Sequence, residues 1–340
     1  MRYRLLILTC SLTLLSGQSL FNRWTGTDSF VGSPRSTAMG NTHLLNSTGS
    51  NIVRFNPANL GIIKLKRELS IQVNRSSVFE RWSMPVRDSF GEFLTSADYV
   101  ANEFNYYDVS LGLIGAVNIS QVGKIGIGFN YAPLTHFTYH YSEEVRGTYR
   151  IEDGEYASKD PFVGYQNLSI DGTPMVTSFG GGIILEILGE VDLRMGGAFN
   201  LIQSSELSDR VEVDTLYSNV TNLSTLPDIN VNAEVPGANF MTFSTTLNLN
   251  PNIQLGFSWE DEAKLSTTIY NWSIDSTSGL FQYWDESSYI VSGLNYLKPE
   301  IKSLALSFIS DLENRISIDF EFNQMLYNGH LNLKDSKQYK

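Results

Sequence analysis

Apolar and polar residues alternate with a period of two along most of this chain, in segments of about ten residues. In 313–323, Ile316, Ile318, Phe320 and Phe322 fall on one side, with Arg315, Ser317, Asp319, Glu321 and Asn323 on the other. Ile125, Ile127, Phe129 and Tyr131 oppose Lys124, Gly126, Gly128 and Asn130 in the same way. Val191, Leu193, Met195 and Phe199 oppose Asp192, Arg194, Gly196 and Asn200. Side chains of a strand point alternately to its two faces, so each segment reads as a half-buried strand. The pattern predicts strands at 66–74, 107–118, 124–133, 177–187, 191–203, 239–249, 252–260, 264–273, 278–284, 299–309 and 314–324. Two all-β architectures fit. A soluble sandwich turns the polar face outward; a membrane barrel turns the apolar face to lipid and encloses the charges.

The connections separate these two. Short turns fall at 119–123, 188–190, 250–251 and 310–313, and long polar or mixed segments at 75–106, 134–176, 204–238 and 285–298. If the strands run up and down in order, the short turns share one rim and the long segments the other. Outer-membrane barrels sort their loops this way, with the short turns in the periplasm. A strand of ten or eleven residues at a 45° tilt also crosses an apolar band of roughly 25 Å, whereas soluble strands average five or six residues.

The N-terminus points in the same direction. Arg2 and Arg4 precede an apolar run from Leu5 to Leu15, followed by Ser16, Gly17, Gln18 and Ser19. This is the layout of a secretory signal, read over residues 1–18 and too short for a spanning helix. The lone cysteine, Cys10, lies inside that run, so the remainder of the chain has neither a disulfide framework nor a thiolate site. The formal charge of −12 leaves no basic face for phosphates, which argues against nucleic acid as a partner.

Two boxes follow the signal: Ala38-Met39-Gly40, and Asn56-Pro57-Ala58 just before the first alternating strand. In this order and position they resemble the N-terminal region of the FadL-like outer-membrane transport proteins (the FadL/TodX group), and of the related PorV-like barrels. The resemblance implies a fourteen-stranded transmembrane antiparallel β-barrel with residues 19–64 forming a hatch inside it and residues 65–340 forming the wall. It marks Ala38, Met39, Gly40, Asn56, Pro57 and Ala58 as hatch residues. Arg35, Arg54, Asp192, Arg194, Arg315, Asp319 and Glu321 are expected in the lumen, with Arg35 and Arg54 facing carboxylates such as Asp319 or Glu321. The chain departs from the family in its short Leu44–Ser50 link and in lacking closing strands and a terminal aromatic residue. Eleven strands is an odd count, so either further strands lie inside the long segments or the barrel is incomplete at its C-terminal side, and the second is the expectation.

Pro57 fixes its own φ and Asn56 can bond nearby backbone, which suits a tight irregular turn. Such backbone is tolerated at membrane depth only when protein or a wet cavity encloses it. No Gly-x-Ser-x-Gly elbow or His-Glu-x-x-His motif is present, and the glycine run 180–182 reads as lumen backbone or a kink. His136 and His140 are the one pair at metal-ligand spacing, and Glu143 and Glu144 do not complete a site. The chain is therefore expected to have no enzymatic activity, metal or cofactor. The resemblance implies the cell outer membrane as location and its lipid as solvent. It further implies passive uptake of small hydrophobic compounds such as long-chain fatty acids, first met by loop residues such as Phe162, Val163, Tyr165, Leu280, Phe281, Tyr283 and Trp284. The alternative is a non-transporting barrel of the PorV kind, whose long loops, with Asp209, Glu212 and Asp214, hold secreted or cell-surface proteins.

Overall fold

The computed structural model describes residues 27–28, 33–40, 42–63, 67–87, 90–119, 123–146, 162–188, 191–215, 229–266, 268–274, 295–309 and 317–326. The predicted signal, the predicted strand 278–284 and Arg315 lie outside these residues.

The N-terminal segment holds a two-residue strand β1 (Thr27–Asp28), helix α1 (Pro34–Ala38), a 3₁₀ turn Gly49–Asn51, helix α2 (Ile52–Phe55) and a second 3₁₀ turn Pro57–Ile62. The strands follow: β2 (Arg67–Arg87), β3 (Phe93–Ile119), β4 (Gly123–Pro133), β5 (Thr135–His136), β6 (Tyr139–Arg146) and β7 (Phe162–Asp171). Next come β8 (Met175–Leu188), β9 (Val191–Ile202), β10 (Ser205–Thr215), β11 (Ile229–Val235), β12 (Ala238–Asn250) and β13 (Ile253–Glu260). The last are β14 (Ala263–Ser266), β15 (Thr268–Ile274), β16 (Asn295–Lys298), β17 (Glu300–Ile309) and β18 (Ser317–Leu326). The protein is all-β and antiparallel, and no helix among the described residues is long and apolar enough to cross a membrane.

One 14-stranded sheet dominates, and it branches at β3. Nine strands form a wall in the order β2-β3-β4-β8-β9-β12-β13-β17-β18. The other five continue from the N-terminal part of β3 as β6-β7-β10-β11-β15, joined to it at Val100 opposite Glu143. β3 serves both because it has 27 residues, about 90 Å at the usual rise per residue. Its C-terminal end pairs with β4 from Leu111 to Ile119.

The two faces of the wall are inverted relative to a soluble sheet. Ile71, Leu113, Ile127, Phe179, Phe199, Phe243, Phe257, Leu304 and Phe320 are exposed on the outward face. Asp108, Asn130, Ser178, Arg194, Asn200, Thr242, Thr246, Ser258 and Ser303 are buried on the inward face. Because neighbours are antiparallel, the β3–β4, β8–β9, β12–β13 and β17–β18 turns all fall on one edge. The five-stranded extension grows from the opposite edge.

Several expectations need correction. The segments 75–106, 134–176 and 204–238 are not loops: β2 and β3 run through the first, β6 and β7 lie in the second, β10 and β11 in the third. Strand β10 shows why they were missed. Only Leu207 and Val211 of its apolar side chains are fully buried, and its remaining residues are mostly polar, so the apolar stripe is too thin to stand out. The single strand predicted at 264–273 is two strands in different sheets, β14 beside β16 and β15 beside β11. Fourteen strands share the main sheet instead of eleven. The sheet does not close among the described residues, where β2 and β18 are its free edges in the wall.

Candidate functional site

The inward face of the wall is glycine-rich at the places where the N-terminal segment crosses it. A methyl group on Gly182 would fall 2.1 Å from the Pro57 carbonyl oxygen, and one on Gly196 would fall 2.3 Å from the Pro57 carbonyl carbon and 2.4 Å from the Ala58 nitrogen. At Gly126 it would meet the Leu60 oxygen at 2.1 Å, at Gly112 the Ser50 Cβ at 2.5 Å, and at Gly256 the Leu45 side chain at 2.9 Å. These glycines form a seat for the N-terminal segment, the expected hatch: its backbone lies directly on the wall at Gly126, Gly182 and Gly196, and its side chains do so at Gly112 and Gly256. Val53, Leu60, Ile52, Ile114 and Ala198 pack together as its apolar centre.

Local chemistry explains the shape of this N-terminal segment. Pro34 occupies the first turn of α1, and the Ser33 hydroxyl caps it by accepting from the Ser36 N–H at 3.1 Å. Gly49 has φ +67°, a left-handed conformation that side chains rarely adopt, and faces Ser70 of β2. Asn56 ends α2, and its amide donates to the Leu44 carbonyl and, at 3.2 Å, to the Thr246 hydroxyl. The next free N–H, on Ala58, donates to Ser244 at 2.8 Å. The Asn-Pro-Ala box thus sits on β12 through hydrogen bonds and on β8 and β9 through glycines.

Hydrogen bonds also tie the hatch to both free edges of the wall. Asn51 donates to Gln72 on β2 at 2.6 Å. At the other edge Arg35 donates to Ser317 at 3.0 Å, and the Leu44 N–H donates to Glu321 at 2.9 Å, both on β18. A segment this small reaches both edges only if the nine strands curve around it.

The expected lumen residues are distributed as follows. Asp192 and Arg194 share the inward face of β9 as a two-point ion pair at 2.6 and 3.0 Å, and Arg194 also donates to Asn59 of the hatch at 3.3 Å. Arg35 meets Asn46 and Ser317 rather than Asp319 or Glu321, because Glu321 is taken by the hatch backbone. Arg54 is buried, donates to the Pro133 carbonyl at 3.1 Å and lies over the Phe55 ring. Ala38 ends α1, Met39 caps it by donating its N–H to the Arg35 carbonyl, and Gly40 leaves the turn with φ +77° and its N–H on the Thr37 carbonyl.

Residues 134–138 form a largely buried strap between residues 172–174 and the N-terminal segment. The Leu134 N–H donates to Pro174 and the Phe137 N–H to Gly172, and β5 pairs with β1 of the N-terminal segment. His136 is buried, donating through Nε2 to Asp108; in that tautomer Nδ1 accepts the Thr173 hydroxyl at 3.1 Å. His140 lies instead beside Asp171 at 3.4 Å, so the two histidines have separate carboxylate partners. Sequence reading did not single out Asp108 or Thr173, and it placed Gly126, Gly196 and the run 180–182 on the polar side without saying what they meet. A signal was present for the glycines: 126 and 128, 180 and 182, and 196 all lie on the polar side of adjacent strands, at spacings of two within a strand.

His43 stacks on Phe55 at 4.4 Å, and its enclosed Nδ1 has no partner. Burial, then the charge of Arg54, lowers its pKa from 6.5 to about 4, with Glu260 opposing weakly. Its folded value lies below its unfolded value, so the unfolded chain binds more protons between the two. Stability is therefore full above pH 6.5 and falls as the pH drops toward 4, by roughly 3 kcal/mol in total. His43→Phe keeps the stack and is expected to remove this component. The difference between parent and variant in urea midpoint, measured from pH 7 to pH 4, should grow over that window; a constant difference would refute it.

Neither a family model nor a curated protein matches this chain.

Proposed function

We propose that the protein is an outer-membrane channel for passive uptake of small hydrophobic compounds, with the N-terminal segment as its hatch. The observation that carries this reading is the inverted wall: large apolar side chains exposed outside, small polar ones buried inside against a plug. In water such a surface is an aggregation hazard, whereas in lipid it is the stable arrangement. The interior above the hatch supports a hydrophobic solute. Phe104, Tyr106, Leu134, Phe137, Tyr139, Ile170, Val176, Ile202 and Phe240 form an apolar cluster there, on the side away from the short turns. Transfer into such surroundings supplies the driving force without a cofactor.

The close seating of the hatch favours a second reading, a wall that stays shut and carries secreted or cell-surface proteins on its extension. Uptake of radiolabelled long-chain fatty acid and alkane into liposomes holding the full chain tests the first against the second. Rates several-fold above empty liposomes are expected. Rates equal to those of empty liposomes would sink the channel reading.

A further inference from the structure

The inward side chains of four adjacent strands form layers. On β3, Phe104 and Tyr106 belong to the apolar cluster, Asp108 holds the strap, Ser110 follows, and Gly112 and Ile114 meet the hatch. On β8 the sequence is Val176 in the cluster, then Ser178, then Gly180 against Val53. On β9 it is Ile202 in the cluster, then Asn200, then Ala198 in the hatch core. Asn130, Ser178 and Asn200 lie directly opposite one another across β4, β8 and β9, and Phe240 of the apolar cluster is next in the row. A polar collar therefore separates the apolar cluster from the hatch.

This collar is not satisfied. Ser178 Oγ and Asn200 Oδ1, directly opposite each other, are buried without hydrogen-bond partners. The Asn200 amide nitrogen donates to Thr242 at 2.9 Å, and its oxygen is left over. Asn130, by contrast, spends its amide on Ser50 and Asn51 of the hatch. A buried hydroxyl or amide oxygen without a partner is costly, and two side by side on β8 and β9, directly below an apolar cluster, call for a molecule with a polar end and an apolar body.

We propose that the collar pair of Ser178 and Asn200 binds the uncharged, hydrogen-donating end of an amphipathic solute whose apolar part lies among Phe240, Val176 and Ile202. This rests on the uptake reading and narrows its solute class. The Ser178 hydroxyl can donate or accept, and the Asn200 amide oxygen only accepts. A hydroxyl or amide head therefore satisfies both, whereas a carboxylate is repelled by the oxygen of Asn200. The charges at this level are engaged: Asp108 with His136, and Arg54 with the Pro133 carbonyl from the hatch side. The strap closes the site from the extension side, and access requires 134–138 to shift away from Asp108 and Thr173.

The test uses the full chain in amphipol with three probes that share a pyrene body: pyrenebutanol, pyrenebutyrate and methylpyrene, followed by fluorescence. Pyrenebutanol is expected to bind about tenfold more tightly than either of the others, the value of one or two net hydrogen bonds. Ser178→Ala should erase that preference and at the same time raise the unfolding midpoint of the unliganded protein, because it removes an unpaired hydroxyl. Asn200→Leu should also erase the preference, and Asp108→Asn should speed probe entry by loosening the strap. Tighter binding of pyrenebutyrate, equal binding of all three, or a Ser178→Ala protein less stable than its parent would each overturn the proposal. Binding of pyrenebutanol without uptake into liposomes would leave the site standing and remove the channel.

Discussion

Alanine at both Gly182 and Gly196 is expected to unseat the hatch, leaving it open to trypsin at Arg54, a bond buried in the parent. The reason is geometric. Each new methyl would meet the backbone of Pro57 or Ala58 at under 2.5 Å, and backbone has no rotamer through which to withdraw. Overpacking a well-filled site costs about 1–3 kcal/mol when side chains can adjust, and more when they cannot. Each single variant should therefore lose about 3 kcal/mol. The double should lose less than twice that, since both methyls strike the same residue and one displacement relieves both. Gly181→Ala provides the control. It adjoins Gly182 on β8 and pairs with Gly197, but faces outward, and its added methyl finds nothing nearer than 3.6 Å. Trypsin cleavage and the urea midpoint are the readouts. A double variant as resistant as the Gly181 variant would mean that the seat does not hold the hatch.

The seat also shows what the sequence conveys and what it withholds. Period-two alternation located the wall strands β4, β8, β9, β12, β13, β17 and β18 to within a few residues, because each has an apolar stripe on one face only. In β4, for instance, Ile125, Ile127 and Phe129 alternate with Gly126, Gly128 and Asn130. The extension was illegible for the opposite reason. Strands such as β10 bury too few apolar side chains to distinguish them from polar loop, and their pairing with β7 and β11 is set by backbone hydrogen bonds that any sequence can make. The Asn-Pro-Ala box marked a tight turn, and the chain does turn there, from α2 into a 3₁₀ turn. Its partners were invisible, because Thr246, Ser244, Gly182 and Gly196 are contributed by three strands that lie more than a hundred residues further along the chain. The expected pairing of Arg35 with Asp319 or Glu321 went astray in a related way. Charge alone suggested it, whereas the backbone N–H of Leu44 and the hydroxyl of Ser317 lie closer in the folded chain. Distant pairings of polar groups carry no periodicity, so a single sequence leaves them undetermined.

Which medium the wall faces decides the sign of the remaining prediction. Ile127 and Phe79 are almost equally exposed, at 67% and 69%, and both point outward. They differ in place. Ile127 lies midway along β4 among the apolar side chains of the wall, while Phe79 is on the part of β2 beyond Arg75, where Arg75 and Ser77 bond to Asn105. In water a lysine at either position is nearly neutral, within about 0.5 kcal/mol, and makes the protein more soluble. In lipid the two separate. A lysine at the middle of the apolar band costs roughly 2–4 kcal/mol, and one beyond the band costs roughly 0–1. Ile127→Lys is therefore expected to lower the urea midpoint of the protein folded into bilayers by an amount that Phe79→Lys does not approach. The discriminating result is the difference between two substitutions of like chemistry and like exposure. If both are neutral and both raise the yield of protein soluble without detergent, the outward face meets water, and the wall is the side of a soluble sheet.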